Sequence, residues 1–531
     1  MKRLYVSLCA LVLSFAFIRE APAQAHFLRG DANNDTSVNI ADAIFTLGYL
    51  FLGSDTPPCL DAADTNDDGS TDIADPIYTL SALFSGGPPP AAPYPIFEAD
   101  PTEDDLGCHV SDTNPMVDVT GDIASNQTWI STKVYRLVSG VFVKEGATLT
   151  IEAGTTVIGD KATTAVLVVE RGAKLIAVGT ETHPVVFTSS QPVGQRRKGD
   201  WGGVVLLGRG DINVAGKEPL AEGLPSSRYG GGANPDNDDS SGQLSYCRFE
   251  YGGVAISPDN EVNGISFFAV GRNTLADHIQ TKFADDDSFE WFGGAGNLKY
   301  GIALGNTDDN IDYSFGYSGM IQFVAAIQNP GDTQGSGGGF EVDNSESPAG
   351  AFGDRPLTRP MVSNVTLIGT NNPGGSTGGQ GILLRRGCGS IIYNGIIQGF
   401  RQAGFDIDDA ITTEQISTGD LIVDHITFSQ NGEDCQTGET GGQDESAAEF
   451  KDTSCNFIKV TMKNNIFSTT SPTVDPYTLT GPNLRPQNDA LTNPFDPTTL
   501  DPFFSPAPYR GAVAPDGEDW TQAPWISYQQ N

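Results

Sequence analysis

VKEGATLTIEAG (residues 143–154) and VERGAKLIAVGT (169–180) are one phrase written twice, 26 residues apart. In each, Gly and Ala precede a short alternating run that begins at Leu149 or Leu175. Alternation sends every second side chain to one face of a strand. A unit of this length holds two or three short strands, and it has nothing of its own to cover their inward face. Successive units must therefore stack, which is the architecture of a parallel β-helix. Stacked strands stand ~4.8 Å apart, and about a dozen coils fit between residues 130 and 470 at repeats of roughly 20–50 residues. A β-sandwich array is the alternative, disfavoured because hairpin turn signals are sparse. The expected fold is mainly β, a right-handed parallel β-helix, with a small helical module ahead of it.

Composition agrees. Over 531 residues there are 63 Gly and 33 Pro, with 38% hydrophobic and only 18% charged residues, a mix that suits a turn-rich β protein. The 67 acidic against 30 basic residues give a net charge of −37. Such a surface repels nucleic acid and anionic membranes, and it suits either retention of divalent cations or plain solubility. Lys2 and Arg3, then an apolar stretch from Leu4 to Ile18, then Ala23-Gln24-Ala25, read as a signal peptide over residues 1–25. The expectation is export, with a mature chain from His26 and no membrane span. Cys9 lies too early for a lipoprotein cysteine. The remaining cysteines, Cys59, Cys108, Cys247, Cys388, Cys435 and Cys455, are even in number, which favours disulfides in an exported protein. Cys59 with Cys108 and Cys435 with Cys455 are natural pairs, while Cys247 could meet Cys388 only if their strands adjoin. No spacing resembles a zinc site.

A second duplication lies nearer the start. DANNDTSVNIADAIFTLGYLFLG (31–53) realigns with DTNDDGSTDIADPIYTLSALFSG (64–86) at an offset of 33. Ile40 matches Ile73, Ile44 matches Ile77, and Phe51 matches Phe84, with helical spacing after each loop. Pro76 falls in the first helical turn, where it is tolerated. Each loop offers oxygen at positions 1, 3, 5, 9 and 12: Asp31, Asn33, Asp35, Asn39 and Asp42, then Asp64, Asn66, Asp68, Asp72 and Asp75. Ser37 and Ser70 add backbone carbonyls at position 7. Calcium takes about 6–8 oxygens, and this spacing wraps one ion. Gly69 supplies the sharp turn, whereas Thr36 in the first loop makes that site the weaker.

This segment resembles a type I dockerin, two calcium loops each followed by one helix, with Asp rather than Glu at position 12. It is more closely similar to the cysteine-bearing version found in many secreted planctomycete-type proteins. The resemblance covers residues 26–87 and implies two calcium ions and a cohesin-like or cell-surface protein partner. Residues 88–116, rich in Pro, Gly and Asp, read as a linker. The tripeptide Arg29-Gly30-Asp31 is better read as part of the calcium loop than as an adhesion motif.

Residues 117–531 resemble a family of large secreted bacterial β-helix proteins, most of them uncharacterised. The blocks GDWGGVVLLGRGDIN, SGQLSYCRFEYGG, DDDSFEWFGG and GYSGMIQFVAAIQ carry the likeness, and DPFFSPAPYRGAV (501–513) with Trp520 and Trp525 matches its closing segment.

Acidic residues recur in one setting, Ser288-Phe289-Glu290-Trp291, Asn310-Ile311-Asp312-Tyr313, Gly339-Phe340-Glu341-Val342 and Gly404-Phe405-Asp406-Ile407. Glu290 and Asp312 lie one coil apart, so they could stack as a ladder of like charges that needs a cation, a basic partner or raised pKa values. Three readings stay open. Asp285, Asp286, Asp287, Glu290, Asp308, Asp309 and Asp312 could hold an additional calcium. Two carboxylates could work as a glycosidase pair. Or the acids cap turns and face solvent. Asn306-Thr307-Asp308 is similar to a polygalacturonase motif, but the Asp run precedes it rather than following, and Gly-His-Gly and Arg-Ile-Lys are missing. Arg385 or Arg386 would be the base of a calcium-assisted lyase such as a pectate lyase, or a salt-bridge partner of the ladder. Trp201, Trp291, Tyr313, Tyr317 and Phe323 could line a sugar-stacking groove. No nucleophile elbow, HExxH or nucleotide loop is present.

The balance favours a non-catalytic extracellular calcium protein, attached or ordered by its module, whose β-helix presents a binding surface for polysaccharide. The alternative is a calcium-assisted lyase or glycoside hydrolase using Glu290, Asp312 and Arg385.

Overall fold

The computed structural model describes residues 26–33, 37–54, 56–95, 98–102, 106, 115–257, 260–330, 337–345, 352–371, 379–435 and 451–529. The signal-peptide segment, Cys9, Asp35, Thr36 and Cys108 lie outside them. The chain divides into two compact units, residues 1–113 and 114–531.

The larger unit is a right-handed parallel β-helix. Among the described residues, 24 of its strands form one continuous parallel network. The repeat read from sequence is the register itself: Leu149 pairs with Leu175 and Val143 with Val169, each 26 residues on. The winding chain makes three sheets. One inward row of the second sheet runs Val157, Phe187, Phe249, Thr281, Ala303, Ala326, Leu367, Ile397, Phe428 and Phe467. One inward row of the third runs Leu167, Val204, Ile265, Phe289, Ile311, Phe340 and Ile382. The apolar side chains of both rows belong to one core, with Phe467 partly buried against it, and no coil could bury its own face alone.

The corner between the first two sheets is built from residues in the left-handed region. Tyr246, His278, Tyr300, Phe323, Asn364 and Asn394 occupy it on successive coils, with φ between 50° and 61°. That backbone costs of order 1 kcal/mol or more for a non-glycine residue. Stacking offsets part of it, with ring centroids 4.5 Å apart for Tyr246–His278 and His278–Tyr300 and 4.9 Å for Tyr300–Phe323. The carboxy-terminal segment closes over this side. Asn394 Nδ2 donates to the Phe495 carbonyl at 2.9 Å, Asn364 Nδ2 to Tyr509 at 2.7 Å, and Gln280 Nε2 to Ser527 at 2.9 Å. Ala512, Val513 and Trp525 bury the outward apolar stripe of Ile302, Leu304, Ile327 and Ile368.

Cys435 and Cys455 are bonded, with Cα atoms 5.4 Å apart. Cys247 and Cys388 are free and buried, because their coils are not neighbours. Cys59 is disulfide-bonded.

In the smaller unit the expected helices run Ile40–Leu52 and Ala74–Phe84, the latter with Pro76 in its first turn. Asn39 caps the first helix by accepting from Ala41 N, and Asp42 returns a bond from Asn39 N in a capping box. The proposed linker is in part packed structure: Ala91 N donates to Thr65 O, and His26–Phe27 pairs antiparallel with Glu98–Ala99. Arg29, fully buried, explains why. Its guanidinium donates to Ala92 O, Asp61 O and Asp64 O, and meets Asp67 and Asp100 at 2.8 Å each.

Candidate functional site

In the smaller unit the described parts of the duplicated loops share the bonds to their twelfth residue. Asp42 accepts from Asn33 N and Asn39 N, and Asp75 from Asn66 N and Asp72 N. Asp64 accepts from Asp68 N and Gly69 N, the turn at Gly69 having φ +81°. Asp31, Asp42, Asp64 and Asp75 are all buried. Burial raises the pKa of Asp64, and it pushes Asp75 up to about 7, with the charge of Asp64 adding to it. Buried carboxylates held by amides but raised in pKa suit a hard cation, which is the fit expected of calcium. Asp68, Asn66, Asp72 and the Ser70 carbonyl lie on the same loop as Asp64 and Asp75. Outside the loops, matched apolar residues of both helices face solvent. Ile44 and Ile77 are 62% and 58% exposed, and Ile40, Ile73, Phe51 and Phe84 are exposed as well.

In the larger unit the third sheet carries the acids on its outer face. Phe289 and Trp291 point inward, so Glu290 points out. The same phase applies to Asp312 between Ile311 and Tyr313, and to Glu341 between Phe340 and Val342. Registers put Ser266, Glu290, Asp312, Glu341 and Leu383 on consecutive rungs, so the ladder is three carboxylates long. Asp406 sits one coil past Leu383 and does not join it.

Turns feed more acids to the same place. Asp287 Oδ1 accepts from Asp309 N at 2.8 Å, and Asp309 accepts from Gly338 N. Asn263 Nδ2 donates to Glu290, and Asn263 Oδ1 accepts from Asp287 N at 3.2 Å. Oxygens of Asp287, Glu290 and Asp312 lie within 4.8 Å of one another, as do those of Asp286, Asp287 and Asp308. Oδ1 of Asp312 is buried with no hydrogen-bond partner. Burial, then mutual repulsion, raises Asp287, Glu290, Asp309 and Asp312 well above the usual carboxylate range. Glu341 rises to about 7 for the same first cause, opposed by Arg385. Asp285 alone of the seven acids expected here is exposed; Asp287, Glu290 and Asp309 are buried, and Asp286, Asp308 and Asp312 are half-buried.

The far end of the ladder is neutralised. Arg385 Nε and Nη2 bind Asp343 at 2.9 and 3.0 Å, Nη2 also reaches Glu341, and Arg386 Nη1 meets Asp343 at 2.8 Å. Burial disfavours charge on Arg385, yet Asp343 and Glu341 raise its pKa above the ordinary arginine value. Such a guanidinium is a structural ion pair and a poor base. A glycosidase pair needs carboxyls on both sides of a sugar, ~5–9.5 Å apart. Here oxygens of Asp287, Glu290 and Asp312 lie within 4.8 Å of one another, with Glu341 on the next rung after Asp312. Asn306 Nδ2 caps its own turn by donating to the carbonyls of Asp308 and Asp309. The sugar-stacking groove is overturned: Trp201, Trp291, Tyr313, Tyr317 and Phe323 are all buried. Trp291 stacks between Phe267 at 5.0 Å and Tyr317 at 5.4 Å, inside the coil.

Sequence reading missed Asn263, whose only signal is its place in the turn before an inward Ile265. It also missed a cluster of Arg196, Arg248, Glu250 and Lys282 on the second sheet.

Residues 121–482 match the family model described as pectate-lyase like beta helix domain, and the chain belongs to that family. No curated protein and no solved structure matches the chain.

Proposed function

We propose that this member of the pectate-lyase-like β-helix family is an exported protein that binds acidic polysaccharide through calcium on its third sheet. One observation carries the reading: Glu290, Asp312 and Asp287 crowd their oxygens within 4.8 Å while the available arginines bind Asp343 and Glu341 instead. Like charges at that distance repel unless they retain protons or share a cation, and calcium would relieve the crowding. Asp287, Glu290 and Asp312 would be its ligands, with Asp286 and Asp308 beside them. Asn263 orients Glu290, and Arg385 holds Glu341 away from the metal's share of the charge. Bound calcium supplies a positive centre that a uronate carboxylate can complete.

The dockerin-like module holds two further calcium ions in this reading, through Asp31, Asn33, Asp35, Ser37, Asn39 and Asp42 and through Asp64, Asn66, Asp68, Ser70, Asp72 and Asp75. Its matched exposed residues, Ile44 with Ile77 and Phe51 with Phe84, suit attachment to a cohesin-like or cell-surface partner.

Family membership favours a second reading, a calcium-assisted lyase or glycoside hydrolase. The ion pairs of Arg385 weigh against it. Incubation with polygalacturonate, with and without calcium, decides between them. Calcium-dependent binding without new products, lost in Glu290→Gln and Asp312→Asn, supports binding. Unsaturated or reducing products that vanish in those variants would establish catalysis instead.

A further inference from the structure

The duplication at the start of the chain breaks its own symmetry at two positions. At the offset of 33, Arg29 stands opposite Ala62, and Asp67 stands opposite Asn34. The two departures meet each other: Arg29 Nη2 lies 2.8 Å from Asp67 Oδ1. A charge ahead of the first loop is thus paired on the second loop, at its fourth position. The first loop has the neutral Asn34 at that position.

The same bridge carries the segment that follows the second helix. Arg29 Nε donates to Ala92 O at 2.7 Å, and Nη2 donates to Asp100 Oδ1 at 2.8 Å. Thr102 Oγ1 lies 2.8 Å from both Asp67 Oδ1 and Asp100 Oδ1, and Thr102 N donates to Asp100 at 3.0 Å. Ala91 N donates to Thr65 O at 3.2 Å. The second loop therefore works on two sides. Asp64, Asn66 and Asp68, at positions 1, 3 and 5, belong to the ligand set expected for calcium. Thr65 and Asp67, at positions 2 and 4, hold residues 88–102. A backbone that wraps an ion with alternate residues also fixes the residues between them.

Electrostatics join the two sides. Arg29 is fully buried, and its Nη1 donates to the Asp64 carbonyl at 2.9 Å. Burial raises the Asp64 carboxyl, and the charge of Arg29 opposes that rise. The guanidinium is thus felt at the first ligand position, where a fixed positive charge repels a cation. Asp67 and Asp100 offset that charge. Asp100 does so only while residues 88–102 are docked, so docking favours a cation in this loop.

We infer that residues 88–102 form a latch, and that its closure and calcium binding in the Asp64 loop strengthen each other through Arg29 and Asp67. The inference rests on the calcium reading of the duplicated module. By linkage, whatever the closed latch adds to calcium affinity, bound calcium adds to closure. Calcium then decides whether residues 88–102 belong to the module or to the connecting segment. The Asp31 loop, with Asn34 in place of Asp67, stays outside the coupling.

The test is hydrogen exchange of the full chain at saturating calcium, with each loop disabled in turn. Asp75→Asn should speed exchange of the Ala91 amide and of residues 98–102 about tenfold or more, a coupling of ordinary size. Asp42→Asn should leave them protected. Exchange in the Ile40–Leu52 helix reports whether the module stays folded in Asp75→Asn. Thr102→Val, at an exposed residue, supplies the reciprocal measurement and does not depend on that variant. Calorimetry should show calcium affinity lowered about fivefold or more at the Asp64 loop and unchanged at the Asp31 loop. A merely structural contact would not single out one loop. The same exchange in both loop variants, or calcium affinities unmoved in Thr102→Val, overturns the latch while leaving calcium binding intact. Absence of calcium uptake by the wild-type module would defeat the module reading, and the latch with it.

Discussion

Asp312→Asn should stabilise the metal-free protein at pH 8 and weaken it relative to wild type once calcium is added. Asp312 is the middle rung, between Glu290 and Glu341. Two unit charges at the ~4.8 Å strand spacing repel by about 3.5 kcal/mol at an effective dielectric of about 20. Two neighbours would double that, but the groups escape part of it by retaining protons, so about 3 kcal/mol is a fair size for the gain. The sign follows from linkage. Asp312 has a folded pKa raised above its usual value, so the folded state binds more protons than the unfolded one. Stability then falls as pH rises from the unfolded pKa through the folded one. Asparagine removes that fall. At pH 4, where the carboxyl is protonated in the fold, the substitution should change little. For a unit of roughly 400 residues, 3 kcal/mol moves Tm by about 3 °C. The assay is a thermal melt at fixed scan rate, followed by tryptophan fluorescence, at pH 4 and pH 8 with chelator or calcium. A metal-free Asp312→Asn protein that melts below wild type at pH 8 would refute the repulsion argument.

Other consequences can be measured in the same way. Glu250 has its folded pKa depressed from 4.5 to about 2, so it contributes about 3 kcal/mol above pH 4.5 that is lost as pH falls toward 2. Acid denaturation should lose this component in Glu250→Gln. Asp75→Asn should remove one of two calcium ions from the duplicated module by calorimetry, leaving the Asp31 loop to bind alone. Equal uptake by wild type and variant would count against the ligand set. Cys455→Ser opens a loop of sequence separation 20 and should cost about 3 kcal/mol in denaturant unfolding. Trp291→Ala, inside the coil and 1% exposed, should cost about 3–5 kcal/mol without changing calcium uptake by the module.

The repeat at 143–180 was legible because inward apolar residues and the turn glycine recur together, and stacking forces equal positions into register. The spacing of Glu290 and Asp312 was legible for the same reason, since no insertion separates their coils. Where insertions intervene, counting fails. The rungs at 312, 341 and 383 are 29 and 42 residues apart, so counting did not find Leu383, which stands in the row between Glu341 and Asp406 and ends the ladder. The aromatic candidates failed on phase. Phe-Glu-Trp-Phe shows that Glu290 opposes Phe289 and Trp291, but both aromatic and acidic faces could be surface until a core claims one of them. Cys247 and Cys388 failed likewise, because adjacency of coils decides a disulfide.

Sequence alone determined the stacking architecture, the duplicated oxygen-bearing loops and the strand-by-strand alternation, because each depends on neighbours within one repeat. Tertiary structure decided which residues meet across repeats. Asp287 with Asp312, or Arg196 with Glu250 and Lys282, converge only after loops of unequal length have been wound away. Their chemistry follows from burial and from the charges beside them, and both of those are properties of the wound coil.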